Sequence, residues 1–132
     1  MFKRIDHVEV VTDHPDRTVA FYTEVLGFKI RARQRIPQTG AGVPMNLVYL
    51  DLGGTTVELI SYEGAKLAPA PTGFHLGYNL LALEVEDMGK ALDFLKSKGV
   101  PCVWGPVVRE GHFARAEITD PDGYHIELRQ WL

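Results

Sequence analysis

The feature that most constrains this chain is that it carries one segment twice. Asp51-Leu-Gly-Gly-Thr-Thr-Val-Glu58-Leu59 recurs as Asp120-Pro-Asp-Gly-Tyr-His-Ile-Glu127-Leu128. The aspartates, the glycines and the glutamates are each 69 residues apart (120 − 51, 123 − 54, 127 − 58). A repeat governs the fold more strongly than any local pattern, because each copy must run through the same elements and bury a matching face. At 132 residues the chain fits one domain and leaves no room for two independent cores. The copies are therefore predicted to be modules of one domain, about 1–63 and about 78–132, joined by a connector over about 64–77 that is rich in Pro, Gly and Ala.

Local patterns give each copy the same order, β-α-β-β-β. In the first, Ile5–Val11 reads as a strand. Asp13 or Asp16 can cap a helix whose opening turn suits Pro15. Val19, Phe21, Tyr22, Val25 and Leu26 recur at helical spacing, and Gly27 ends the helix. Phe28–Arg35 reads as a strand, and its alternation predicts that Arg31, Arg33 and Arg35 share a face, which is either solvated or turned to an anionic substrate. A loop over Ile36–Pro44 precedes strands Met45–Leu52 and Thr55–Tyr62, which Gly53-Gly54 joins in a tight turn. In the second copy, Tyr78–Val85 reads as a strand. Asp87 caps a helix built on Met88, Ala91, Leu92 and Leu95, and Gly99 closes it. Val100–Trp104, Ala114–Ile118 and Tyr124–Gln130 read as strands, with a break at Gly105-Pro106 and turn chemistry at Asp120-Pro121-Asp122-Gly123.

Within the repeat, each glutamate sits between apolar neighbours: Val57 and Leu59 around Glu58, Ile126 and Leu128 around Glu127. Each lies on the strand face opposite the one those neighbours bury. That face is either solvated or the wall of a pocket formed where the modules close into a cup. The formal net charge of −3 and the lack of a basic run argue against nucleic acid. No apolar run is long enough for a membrane span, and the N-terminus lacks a signal-peptide core, so the expected location is cytoplasmic. Cys102 is the only cysteine and is predicted to be a buried strand residue, with a catalytic thiol as the alternative.

Taken together, Ile5-Asp-His7-Val-Glu-Val, Phe21-Tyr22-x-x-x-Leu26-Gly27-Phe28, Val57-Glu58-Leu59 and Asp120-Pro-Asp-Gly-Tyr-His-Ile-Glu127-Leu resemble the vicinal oxygen chelate superfamily. This group includes glyoxalase I, extradiol dioxygenases and bleomycin-sequestering proteins. The resemblance covers nearly the whole chain and implies an α+β fold in which two βαβββ modules form a cup-shaped half-barrel.

The resemblance further implies metal ligands at His7, Glu58, the position of Leu80, and Glu127, with Glu127 as the first candidate for the catalytic base and Glu58 as the second. Leucine cannot bind a metal, so this chain departs from the pattern at Leu80, where a slip of one residue would place Asn79. The remaining imidazole and two carboxylates suit one divalent ion, Zn, Ni, Mn or Fe. His75 either folds inward as a substitute ligand or stays on an exposed loop. Glu9 shares a face with His7, and His125 shares one with Glu127, so both are candidates for the pocket wall. His112, on a loop, is either a substrate contact or a surface residue.

The implied activity is a metal-dependent lyase or isomerase step next to a carbonyl of a small-molecule substrate, diverged from lactoylglutathione formation. Losing an imidazole argues against extradiol dioxygenase chemistry, which needs two histidines and one carboxylate. The alternative is a non-catalytic, ligand-sequestering protein of the bleomycin-resistance type. Short members of the group commonly dimerise, which implies a homodimer.

Overall fold

The computed structural model describes residues 1–132. The chain divides into two compact units, Met1–Ala68 and Pro69–Leu132. The first contains β1 (Val8–Val11), α1 (Pro15–Ala20), a π-helical turn (Phe21–Val25), β2 (Lys29–Ile36), β3 (Met45–Leu52) and β4 (Thr55–Tyr62). The second contains β5 (Leu81–Glu84), α2 (Met88–Ser97), β6 (Trp104–Arg109), β7 (Phe113–Thr119) and β8 (His125–Trp131). The sheets run β1-β4-β3-β2 and β5-β8-β7-β6. In each, the first strand pairs parallel to the last and the remaining pairs are antiparallel. Each unit is thus a βαβββ module, and the fold is α+β as the repeat and the resemblance imply.

In the first module, alternation along β3 and β4 sends Val48, Leu50, Val57 and Leu59 into the core beside Tyr22. The Phe-Tyr…Leu-Gly-Phe motif serves this core. Phe21 and Tyr22 meet edge to face at 5.6 Å, and Tyr22 meets Phe28 at 5.4 Å. The predicted single helix is instead a short α-helix followed by a π turn, closed by an i→i+5 bond from the Leu26 N–H to the Phe21 carbonyl at 3.2 Å. The wider turn accompanies burial of two rings adjacent in sequence. The cap also differs from expectation. His14 is the N-cap residue and forms no side-chain cap bond. The Thr12 hydroxyl instead accepts from the His14 N–H at 3.2 Å and donates to the Thr18 hydroxyl at 2.8 Å.

The three arginines of β2 do not share a face. A bulge between Ile30 and Ala32 adds a residue and breaks the alternation. Arg31 lies over the Tyr49 ring at 5.0 Å and bonds Asp51 at 2.9 Å. Arg33 pairs with Val48 on the other side, and Arg35 binds Glu63 in a two-pronged contact.

In the second module, Asp87 caps α2 as predicted, accepting from the Lys90 N–H at 2.9 Å. Met88 and Leu95 of α2 are buried, as are Ala116, Ile118, Ile126 and Leu128 of the sheet. The Asp120 side chain accepts from the Asp122 and Tyr124 N–H groups at 2.9 Å each, which shapes the β7–β8 turn. The strand predicted over Val100–Trp104 begins only at Trp104. It runs through Gly105-Pro106, where a register shift takes the place of the expected break. Cys102 therefore precedes the strand and is exposed, contrary to expectation, with its thiol donating to the Trp104 carbonyl at 3.1 Å.

Gly105 is held at φ +82°, and a Cβ there would lie 2.9 Å from the Arg115 carbonyl oxygen. Gly111, at φ +69°, has open space around it. Chemical denaturation should show Gly105→Ala losing about 2–4 kcal/mol, from backbone overlap added to left-handed strain. Gly111→Ala should lose about 1 kcal/mol, from strain alone. Equal losses would contradict the close approach of β6 to β7.

Candidate metal centre

The parallel pairing of β1 with β4 sets Val8 beside Val57, Glu9 beside Glu58 and Val10 beside Leu59. Because Val57 and Leu59 are committed to the core, Glu58 must project from the opposite face. His7, one residue ahead of β1, shares that face with Glu9 by alternation. The result is a close cluster. His7 Nε2 is 3.0 Å from Glu58 Oε2 and 3.5 Å from Glu9 Oε1, and His7 Nδ1 is 2.9 Å from Asp6 Oδ2. Glu58 is 5% exposed.

The electrostatics follow from this crowding. Burial raises the proton affinity of the Glu58 carboxyl above the ordinary range, and the nearby His7 only partly offsets it. The hydrogen bond that His7 donates to Asp6 is the main cause of a raised His7 pKa, helped by the charge of Glu58 and by the contact with Glu9 and opposed by desolvation. Three carboxylates around one imidazole leave excess negative charge at the centre. One ligand atom from each of His7, Glu9 and Glu58 lies within 4.8 Å of the others. An imidazole nitrogen with carboxylate oxygens is a donor set that fits a divalent transition metal. With Asp6 on Nδ1, Nε2 is the ring nitrogen that would meet an ion beside Glu58, the usual outer-shell arrangement for a ligating histidine.

The second module repeats the backbone with different chemistry. Leu81 pairs with Ile126 and Ala82 with Glu127, so Leu80 and Ala82 stand where His7 and Glu9 stand in the first module. Neither can bind a metal. Glu127 is buried like Glu58, but cations surround it. Arg129 Nε donates to Glu127 Oε1 at 2.7 Å, and Arg129 Nη2 also contacts that oxygen. Arg115 Nη2 lies 3.2 Å from Glu127 Oε2 and donates to Glu117 Oε1 at 2.7 Å. The other Glu117 oxygen meets His125 Nδ1 at 2.9 Å. Arg115 stacks over Trp104 at 4.7 Å, and Arg129 over Phe113 at 3.8 Å.

The structure gathers His7, Glu9 and Glu58 into one cluster and Glu127 and His125 into another. His75 is exposed, with its ring nitrogens against the carbonyls of Gly73 at 2.9 Å and Tyr78 at 3.1 Å. Asn79 is exposed. His112 is exposed in the β6–β7 turn, its N–H bonded to the Arg109 carbonyl at 3.0 Å. Sequence reasoning missed Arg115, Glu117 and Arg129. Their signal was two-residue spacing along β7 and β8, but which strand neighbours they meet depends on register. Beside His7, an open groove is lined by Arg4, Asp6, Arg31, Tyr49 and Asp51.

Residues 4–128 match the Glyoxalase/Bleomycin resistance protein/Dioxygenase superfamily. The chain is 34% identical over 134 aligned residues to a lactoylglutathione lyase of Arabidopsis thaliana, covering 97% of this chain and 44% of that protein. It therefore spans less than half of the plant relative's length. It is 28% identical to a lactoylglutathione lyase of Salmonella typhimurium, covering 95% of this chain and 90% of the bacterial one. A glyoxalase family protein of Bacillus cereus superposes with a TM-score of 0.85 at 22% identity, covering 100% of this chain and 96% of the other, which is a likeness of fold.

In the metal-free protein, the His7 imidazole should titrate above its ordinary value of 6.5, as followed by NMR of the ring protons. Its contribution to stability is then complete below the unfolded value and is lost as pH rises through the higher folded one. Asp6→Asn should bring the midpoint down. A midpoint at or below 6.5 in the unaltered chain would contradict the Asp6 contact.

Proposed function

The chain belongs to the Glyoxalase/Bleomycin resistance protein/Dioxygenase superfamily, and on that premise we propose that it is a metal-dependent lyase or isomerase of the glyoxalase group, acting beside a carbonyl of a small oxygenated substrate. The single observation that carries the reading is the 3.0 Å approach of His7 Nε2 to the buried Glu58 carboxylate. In this reading His7 and Glu58 hold one divalent ion, Zn, Ni, Mn or Fe. Such an ion supplies Lewis acidity toward a carbonyl oxygen.

The chain's own groups do the rest. Asp6 fixes the ring of His7. Glu58, beside the proposed ion on the face opposite the core, is placed to take a proton from a carbon next to the carbonyl and return it. Glu127, the first candidate from sequence, has both oxygens engaged by guanidinium groups. Both its oxygens already face cationic partners, so Glu58 is the better placed of the two. Two features favour the second reading, a protein that holds a ligand without chemistry. They are the missing donor at Leu80 and the guanidinium partners of Glu127.

The assay that separates them offers the hemithioacetal precursor of lactoylglutathione together with other 2-oxoaldehyde adducts. The proposed enzyme turns over at least one of them, loses activity to a chelator and regains it with added metal. His7→Ala should lower kcat/KM by at least about 100-fold, since even outer-shell changes cost 10–100-fold. Turnover indifferent to both chelator and His7→Ala overturns the reading.

The chain is further proposed to act as a homodimer. Phe74, Leu76 and Tyr78 are fully exposed, an apolar display rarely left to solvent. Light scattering should give about twice the mass of one chain at micromolar concentration, and a monomer there contradicts the assembly.

A further inference from the structure

We infer that Glu9, rather than Glu127, is the third carboxylate or imidazole ligand that this chain offers the proposed ion. The inference rests on the metal reading above and adds which carboxylate completes the grip. Its first support is distance. Ligand atoms about 2.1 Å from a common ion stand roughly 3.0 Å apart at a right angle and roughly 3.4 Å apart at the tetrahedral angle. Nε2 of His7 is 3.0 Å from the Glu58 oxygen and 3.5 Å from the Glu9 oxygen. These are the separations of adjacent ligands, already present among the side chains.

The second support is backbone register. Glu9 lies directly beside Glu58 in the parallel pair, which holds the two carboxylates next to each other on one face. The Glu9 side chain is 58% exposed and reaches the centre from its rim, leaving an approach for substrate. The third support is the contrast between modules. At the places equivalent to His7 and Glu9, the second module has Leu80 and Ala82, which offer no donor. Its one carboxylate at an equivalent place, Glu127, accepts from Arg129 on one oxygen and pairs with Arg115 at 3.2 Å on the other. The first module thus has a donor at all three equivalent places, and the second has none free.

The test measures metal binding by the full chain rather than turnover. Zn²⁺ affinity is read by calorimetry and Co²⁺ coordination by its visible absorption, for the unaltered chain and for Glu9→Gln, Glu127→Gln and His7→Ala. Circular dichroism checks that each variant is folded. Glu9→Gln should weaken Zn²⁺ at least about tenfold and alter the Co²⁺ spectrum, while Glu127→Gln stays within about twofold of the unaltered chain. Weakening by Glu127→Gln with Glu9→Gln unchanged overturns the inference. If His7→Ala abolishes binding and Glu9→Gln has no effect, the role of Glu9 fails alone. If His7→Ala also has no effect, the metal reading fails with it.

Discussion

The contact between His7 and Glu58 across the β1–β4 pair is the constraint from which the proposed chemistry of this chain follows. Val57 and Leu59 are buried, so the backbone has no freedom to turn Glu58 anywhere but onto the opposite face. There it is almost fully buried, which disfavours its charge and raises its proton affinity. A chain selected only for stability would place an apolar residue at that point. The imidazole of His7, steered by Asp6, relieves part of the cost, and a bound cation would relieve more. The burial that makes this carboxylate costly is also what favours a cation beside it.

Duplication gave the two modules one backbone plan, yet their chemistry has diverged. Glu58 and Glu127 occupy equivalent places and are both buried. Their neighbours decide what each can do. Around Glu58 the nearby charges are an imidazole and further carboxylates, a set short of positive charge. Around Glu127 they are two guanidinium groups, themselves stacked on aromatic rings, so the carboxylate is already compensated. An ion has something to neutralise at the first and little at the second.

Much of this was legible in sequence, for reasons that differ from one residue to another. The fixed spacing of the repeat gave the order of elements, and the apolar neighbours of Glu58 and Glu127 gave their shared place on a face. Asp87 announced a helix start because its cap is a local bond to a residue three places on. Pairing across strands was not legible. The bulge in β2 separates Arg31 from Arg33 although alternation in sequence unites them. The strand through Gly105 depends on how closely β6 approaches β7, so Cys102 was misplaced. The grip of Arg115 and Arg129 on Glu127 arises from the β7–β8 register and the rings beneath, neither of which any short window encodes.

The most direct measurement is anomalous diffraction from crystals of the full chain grown with Zn²⁺. The account predicts a peak about 2.0–2.2 Å from His7 Nε2 and from a Glu58 oxygen. A peak elsewhere, with the imidazole still bonded to Glu58, or no peak at all, would contradict it.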